Sequence, residues 1–189
     1  MSRAGRGASL VGAGIFASRI AGLAREMVAG RIIGINGAAD ALAAAMRIPN
    51  LLQNLLGEGV LSASFVPVYS ELLDAEDERE ASRVAGAVGA ALMVVTGLSV
   101  LAIVLAARPL TRFLAWGLTD TSFELAVDLT RITAVGTGFM VMSAWCLGIL
   151  NSHRNFFLPY VAPVIWNVAQ IAALLLAWQG GWDIADATR

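Results

Sequence analysis

The stretch VAGAVGAALMVVTGLSVLAIVLAA, residues 84–107, decides the fold class. It holds 24 residues without a charge and is framed by Arg83 and Arg108. Two further stretches of the same kind follow, with 21 uncharged residues over 132–152 and 28 over 155–182. About 20 apolar residues in a helix cross the hydrocarbon core of a bilayer, so the three stretches predict three membrane-spanning helices.

The composition of the whole chain agrees with a membrane protein. Apolar residues make up 58% of the 189 residues and charged residues 14%, and the mean hydropathy is +0.72. A soluble domain carries more charge, because its surface must be wetted. The net charge of −1 gives no long-range field that would attract nucleic acid, so no nucleic-acid partner is expected.

The chain is predicted to be an all-α, polytopic transmembrane helical bundle of about five membrane helices. Two helical segments precede the charge-free stretches, and Pro49 in the second should kink or break it, because proline removes a backbone hydrogen bond. Thr121-x-x-Glu124 predicts a capping box at the start of the fourth helix. The predicted helices cover residues 8–35, 39–70, 83–107, 122–151 and 157–179.

Arginines in the connecting segments give a weak orientation signal. With the N-terminus in the cytoplasm, the inner segments carry five arginines and the outer segments four. Cytoplasmic loops are enriched in basic residues, so this count favours a cytoplasmic N-terminus. The inner arginines are Arg3, Arg6, Arg79, Arg83 and Arg154, and the outer ones are Arg108, Arg112, Arg131 and Arg189.

The first predicted helix carries charges midway along its length. At 100° per residue, Ser18, Arg19, Gly22, Arg25 and Glu26 fall within a sector of about 120°. Each mid-membrane arginine costs about 2.5–3.5 kcal/mol on translocon insertion scales. This face must therefore meet the second helix or a water-filled cavity.

A second polar stripe is predicted on the second helix. Asp40, Arg47, Asn54 and Glu58 fall within about 40° of one another if the helix is straight, and Asn50 lies nearby. The proline kink will shift this register. We expect the two stripes to face one another or a shared cavity.

Two interpretations of these charges stay open. In the first, buried pairs, Arg19 with Glu26 and Arg47 with Asp40 or Glu58, lock the helices together. In the second, the arginines line a polar cavity that holds an anionic, phosphate-bearing substrate. Guanidinium suits this second use because it stays charged and offers forked donors to phosphate oxygens.

Three stretches resemble the lipid II flippase (MurJ/MviN) family, a branch of the multidrug/oligosaccharidyl-lipid/polysaccharide exporter superfamily. They are SRIAGLARE at 18–26, RIPNLLQNLLGEGVLSASFVPVYSE at 47–71 and GILNSHRNFFLPYVAPVIWN at 148–167. The family motifs similar to them are Ser-Arg-x-x-Gly-x-x-Arg-Asp/Glu, then basic-x-Pro-Asn-Leu-Leu with Glu-Gly and Phe-x-Pro, and finally Leu-Asn…Phe…Pro-x-x-Ala-Pro…Asn. The resemblance covers nearly the whole chain.

The resemblance implies flipping of lipid II, the lipid-linked peptidoglycan precursor, from the inner to the outer leaflet of the bacterial inner membrane. It implies alternating access around a cationic cavity, a cytoplasmic N-terminus, and an undecaprenyl-pyrophosphate-linked muropeptide and membrane lipid as partners. No cofactor, metal or catalytic residue is expected. The positions that match the family's cavity residues are Ser18, Arg19, Arg25, Glu26, Asp40, Asn50, Glu58 and Asn167.

The chain departs from the family pattern in two respects. Many members have an arginine directly after Pro-Asn-Leu-Leu, where this chain has Gln53 followed by Asn54. Arg47 is the candidate that supplies the missing charge, so it joins the predicted substrate-binding residues. Members of the family also have two lobes. Residues 1–189 are therefore expected to be an N-terminal fragment that lacks the rest of the first lobe and the whole second lobe.

Other functions are weighed against this interpretation. A related exporter would move another lipid-linked glycan, and a drug-cation exporter would favour an acidic cavity, which the arginines oppose. An intramembrane lipid-phosphate enzyme lacks support, because the sequence has no His-Glu-x-x-His, no Gly-x-Ser-x-Gly and a single histidine, His153. A non-transporting scaffold would not need buried charge. We therefore expect a transporter and not an enzyme.

Overall fold

The computed structural model describes residues 3–34, 37–153 and 157–180, without the side chains of residues 3–11, 13, 58, 157 and 160. All regular structure in these ranges is helical, which confirms the predicted all-α fold. The elements are α1 (Arg3–Ile33), α2 (Gly37–Ala45), α3 (Arg47–Leu52), a π-helical segment (Gln53–Phe65), α4 (Val66–Asp74), α5 (Glu78–Leu105), α6 (Ala107–Leu114), α7 (Asp120–Ser152) and α8 (Phe157–Gln179).

Four helical stretches in the described chain are long and apolar enough to cross a membrane. They overlap the second to fifth predicted helices. The first predicted helix, 8–35, overlaps α1, but the side chains of residues 3–11 and 13 lie outside the described residues, so that span stays a prediction. The four stretches are Gly37–Asp74, Glu78–Leu105, Asp120–Ser152 and Val161–Gln179.

Helix α7 is the centre of the bundle. It contacts α2, α3, the π-helical segment, α4, α5 and α6, whereas α1 packs mainly against α8. Gly22 of α1 lies beside Asn167 of α8, and Arg25 lies beside Gln170. Residue numbers rise together in these two contacts, so α1 and α8 run parallel. In a chain whose helices cross the membrane in alternating directions, the first and the fifth helices run parallel.

The second spanning helix is broken beside Pro49, as predicted. Helix α2 ends at Ala45 and α3 begins at Arg47, because proline has no N–H to donate to the carbonyl of Ala45. From Gln53 to Phe65 the helix widens to π-helical turns for 13 residues. Such turns are rare and often mark functional positions.

The start of α7 differs from the predicted capping box. The N-cap is Thr119, whose side chain does not cap the backbone and instead donates to Oγ of Ser122 at 3.1 Å. Glu124 forms an ion pair with Arg108 of α6. A hydrogen bond between two charged groups is stronger than one to a neutral backbone N–H, so Glu124 is drawn away from the cap. The capping-box prediction was wrong.

Helices α5 and α7 approach closely at Gly89, where a Cβ would lie 2.7 Å from Cζ2 of Trp145. We expect Gly89→Ala to displace the indole and to lower the free energy of unfolding by about 1–3 kcal/mol, the usual cost of overpacking. Gly86→Ala is the matched control, since a Cβ there meets no described atom within 4 Å. Thermal unfolding in one detergent measures the difference, and equal midpoints for the two variants would contradict this contact.

Candidate functional site

Polar side chains of α1 and α8 meet within the parallel pair. Gly22 lies against Asn167, because a Cβ there would meet Oδ1 of Asn167 at 3.9 Å, an ordinary contact distance. One turn further along both helices, Nη1 of Arg25 donates to Oε1 of Gln170 at 3.3 Å. Residues three apart share one face of a helix, so both contacts lie on the same interface. Gly22, Arg25, Asn167 and Gln170 are called the α1–α8 polar cluster below.

Arg25 is the charged member of this cluster. Its side chain is 30% exposed, and Nη2 forms an ion pair with Glu26, whose side chain is 68% exposed. A guanidinium has five N–H donors, and the described contacts to Gln170 and Glu26 use two of them. The remaining donors suit a phosphate or another anion, which accepts forked hydrogen bonds.

Asn167 is the most buried polar member of the cluster, at 8% exposure. Its Nδ2 donates to the carbonyl of Pro163 at 2.8 Å, whereas its Oδ1 accepts no hydrogen bond from the described residues. An unsatisfied buried acceptor costs about 1–3 kcal/mol. Oδ1 faces Gly22, so this cost favours any state in which a hydrogen-bond donor reaches the interface between α1 and α8.

The structure divides the predicted polar face of the first helix. Ser18 is half-buried, whereas Arg19 and Glu26 are exposed. In the part of the chain that the structure describes, Glu26 pairs with Arg25 and not with Arg19, so the predicted Arg19–Glu26 pair was wrong. Arg19 lies seven residues before Glu26, roughly 10 Å along the helix axis. The guanidinium of Arg25, the adjacent residue, is closer to the Glu26 carboxylate.

The candidate residues of the second helix lie apart from the α1–α8 polar cluster. Asp40, Arg47 and Asn50 are exposed on α2 and α3, which pack against α7. Nη1 of Arg47 donates to the backbone carbonyl of Leu114 at 2.7 Å. The side chain of Glu58 lies outside the described residues.

Arg47 therefore caps the C-terminus of α6, where the last carbonyls lack intrahelical partners and carry partial negative charge. Within the described ranges no ion pair joins Arg47 to Asp40, so that alternative was wrong, whereas a pair of Arg47 with Glu58 stays a prediction. The predicted contact between the stripes of the first and second helices is also not formed there, because α1 packs against α8.

The register assumed for the second stripe fails for a physical reason. The predicted stripe assumed a rotation of 100° per residue from Asp40 to Glu58, which holds for a continuous α-helix. The chain instead breaks before Arg47 and continues as a π-helix from Gln53. Hydrogen bonds from residue i to i+5 widen the turn, so side chains after Gln53 no longer follow the α-helical stripe.

Comparison with known proteins decides the family. The family model described as "Lipid II flippase MurJ" matches residues 29–183, well over half of the chain. The chain belongs to this family. The match includes α8, with Asn167 and Gln170, and the last residues of α1, whereas Gly22 and Arg25 precede it.

Individual flippases agree with the family match. The chain is 38% identical over 160 residues to the lipid II flippase MurJ of Burkholderia cenocepacia, covering 82% of this chain and 31% of the relative. It is 35% identical over 176 residues to the probable lipid II flippase MurJ of Rhizobium tropici, covering 92% and 33%. The lipid II flippase MurJ of Thermosipho africanus is 30% identical over 166 residues, covering 88% and 34%. The chain thus spans about a third of the length of these relatives.

The sequence contained a signal for one cluster member that the predictions missed. Gln170 follows Asn167 by three residues, so the two polar side chains share one face of an otherwise apolar stretch of α8. A polar pair with this spacing in a membrane helix indicates a polar partner on a neighbouring helix. Gln170 supplies that partner to Arg25.

Proposed function

We propose that this chain takes part in flipping lipid II, the lipid-linked peptidoglycan precursor, across the bacterial inner membrane. The observation that carries the proposal is Arg25, a partly exposed guanidinium with N–H donors unused by the described residues, at the interface of α1 and α8. A charge midway along a predicted membrane helix is costly, so it favours a functional site over packing alone. The relatives that the chain matches are named lipid II flippases.

The α1–α8 polar cluster is proposed to bind the pyrophosphate of the substrate. Arg25 offers forked donors to phosphate oxygens, and Gln170 and Glu26 fix the plane of its guanidinium. Arg19 lies six residues earlier, roughly 9 Å along the helix, and adds a second exposed cation that reaches the same elongated head group. Oδ1 of Asn167 is available to accept a hydrogen bond from a substrate hydroxyl or amide.

The proposed role of Glu26 is to limit affinity. Its carboxylate already occupies one side of Arg25, so a phosphate competes with an internal anion for the same donors. A transporter must release its cargo on the far side, and binding that is too tight would stop the cycle. Exchange between Glu26 and the pyrophosphate gives Arg25 a partner both before and after release.

The packing of the helices suits alternating access. Helix α1 packs mainly against α8, and this pair joins the remaining helices through the contacts of α8 with α7. Transporters that use alternating access move bundles of helices about a site near the middle of the membrane. We infer that the α1–α8 pair moves as one unit against the bundle around α7, with the polar cluster on the moving unit.

The proposal places the protein among transporters and not among enzymes, as a multi-pass protein of the bacterial inner membrane with a cytoplasmic N-terminus. The partners are the undecaprenyl-pyrophosphate-linked muropeptide and membrane lipid. Because they match the family's cavity positions, further substrate contacts are proposed for Asp40, Asn50 and Glu58. Arg47 instead contacts the backbone of α6.

The orientation gives a labelling prediction for Thr119 and Asp77, both exposed in loops at the two ends of spanning helices. A cysteine at Thr119 should react with an impermeant maleimide added from the periplasm, whereas a cysteine at Asp77 should react only after the cells are opened. The native Cys146 is exposed and must first be changed to serine. Labelling of Asp77 and protection of Thr119 in intact cells would reverse the orientation.

The proposed function is tested by complementation of a bacterial strain depleted of its lipid II flippase. The complete gene should restore growth and rod shape and should lower the accumulated lipid II. An exporter of another lipid-linked glycan would accumulate in the membrane without restoring growth, and that result would contradict the proposal.

A further inference from the structure

A separate cavity of about 710 Å³ lies between α6 and the start of α7. Its lining includes Arg108, Arg112, Trp116, Asp120 and Phe123, none of which belongs to the α1–α8 polar cluster. Helix α6 joins the end of the spanning helix α5 to the start of α7. The cavity therefore lies at the boundary between membrane and water, where aromatic and basic residues contact lipid head groups.

The charges of this cavity are not all balanced. Arg108 donates to Glu124 through both guanidinium nitrogens, so its charge is neutralised. The guanidinium of Arg112 lies 5.7 Å from the ring centre of Phe123. Within 37–153, the range that contains the cavity, neither Arg112 nor Asp120 takes part in an ion pair. The cavity thus presents one cation and one anion that have no ion-pair partner among the described residues.

Two aromatic side chains extend from the same region. Phe113 is 72% exposed and Trp116 is 82% exposed. The indole Nε1 of Trp116 donates to the carbonyl of Phe113, which fixes the ring beside the cavity. A tryptophan with a satisfied N–H and an exposed ring is suited to contact the glycerol and upper acyl region of a lipid.

We propose that this cavity binds the head group of phosphatidylethanolamine, a phospholipid that carries both a phosphate and a primary ammonium. Arg112 donates to the phosphate oxygens, and Asp120 accepts from the ammonium. Phe113 and Trp116 contact the acyl chains. A head group with a phosphate alone would leave Asp120 beside a second anion, and a trimethylated ammonium has no N–H to donate. This site uses no residue of the proposed flipping site and stands independently of it.

Native mass spectrometry of the complete protein in detergent, with one defined lipid added at a time, tests this site. We expect the wild-type protein to bind phosphatidylethanolamine about tenfold more tightly than phosphatidylcholine or phosphatidylglycerol, the effect of one charge-assisted hydrogen bond. Arg112→Gln should lower the affinity for phosphatidylethanolamine about tenfold. Asp120→Asn should make the affinities for phosphatidylethanolamine and phosphatidylcholine equal.

Arg131→Gln is the matched control for these variants. Arg131 is an exposed arginine of α7 that pairs with Asp128 outside the cavity, so its loss should leave lipid binding unchanged. Circular dichroism and thermal unfolding confirm that each variant is folded before its affinity is compared. Equal affinities of Arg112→Gln and Arg131→Gln, or equal binding of all three lipids by the wild-type protein, would overturn the proposal.

Discussion

A protein with Arg25→Ala, expressed from the complete gene, should reach the wild-type level in the membrane and fail to support growth of a flippase-depleted strain. Arg25 is 30% exposed and its ion-pair partner Glu26 is 68% exposed, so the substitution does not strand a fully buried charge. Stranding such a charge would cost about 3–5 kcal/mol and would lower abundance. Arg25→Lys should restore function partly at best, because lysine lacks the forked donor geometry.

The controls for Arg25 separate binding from packing. Arg31→Ala removes an exposed arginine near the end of the same helix and should keep both abundance and function. Membrane-fraction abundance and growth are measured side by side for every variant. If Arg25 served only to neutralise Glu26, Arg25→Ala would lose abundance and the double change with Glu26→Gln would recover abundance and function. That recovery would contradict a substrate site.

Gly22→Leu should reduce growth as strongly as Arg25→Ala does, by changing the helix packing and not the charge. A Cβ at Gly22 meets Oδ1 of Asn167 at 3.9 Å, so Gly22→Ala fits without a shift. Leucine adds three carbons beyond this contact, and we expect them to push α1 away from α8 and to break the hydrogen bond between Arg25 and Gln170. We expect loss of complementation for leucine and near-normal growth for alanine.

Gly30→Leu is the matched control for this second prediction. Gly30 lies on the same helix, and a Cβ there meets no described atom within 4 Å. The leucine at this position should therefore be tolerated. Growth and membrane abundance are again compared. Similar growth of the Gly22→Leu and Gly30→Leu strains would show that the approach of α1 to α8 at Gly22 is not needed for function.

The sequence predicted much of the fold because membrane insertion has a simple requirement. An uncharged stretch of sufficient length forms a spanning helix whatever its neighbours are, so 84–107 could be assigned without tertiary information. The break at Pro49 was also predictable, since it follows from the missing N–H of proline. The π-helical widening from Gln53 was not, because no local residue type requires it.

The partners of the charged residues were harder to predict. Helix pairing in a membrane depends on which surfaces fit together, and apolar stretches of similar composition do not encode that choice. Of the two predicted alternatives, direct contact between the first two helices is not formed, and Arg25 contacts Gln170 of α8. Arg47 contacts a backbone carbonyl of α6, and a backbone acceptor leaves no side-chain pattern in the sequence.

Flipping in reconstituted vesicles shows whether Arg25 belongs to a lipid II site. The complete wild-type protein and its Arg25→Ala variant are placed at equal amounts in vesicles that contain fluorescent lipid II in the inner leaflet. The wild-type protein should expose this label to an external quencher, whereas the Arg25→Ala variant should expose no more than protein-free vesicles do. Exposure of the label at the wild-type rate by the Arg25→Ala variant would show that Arg25 is not part of the lipid II site.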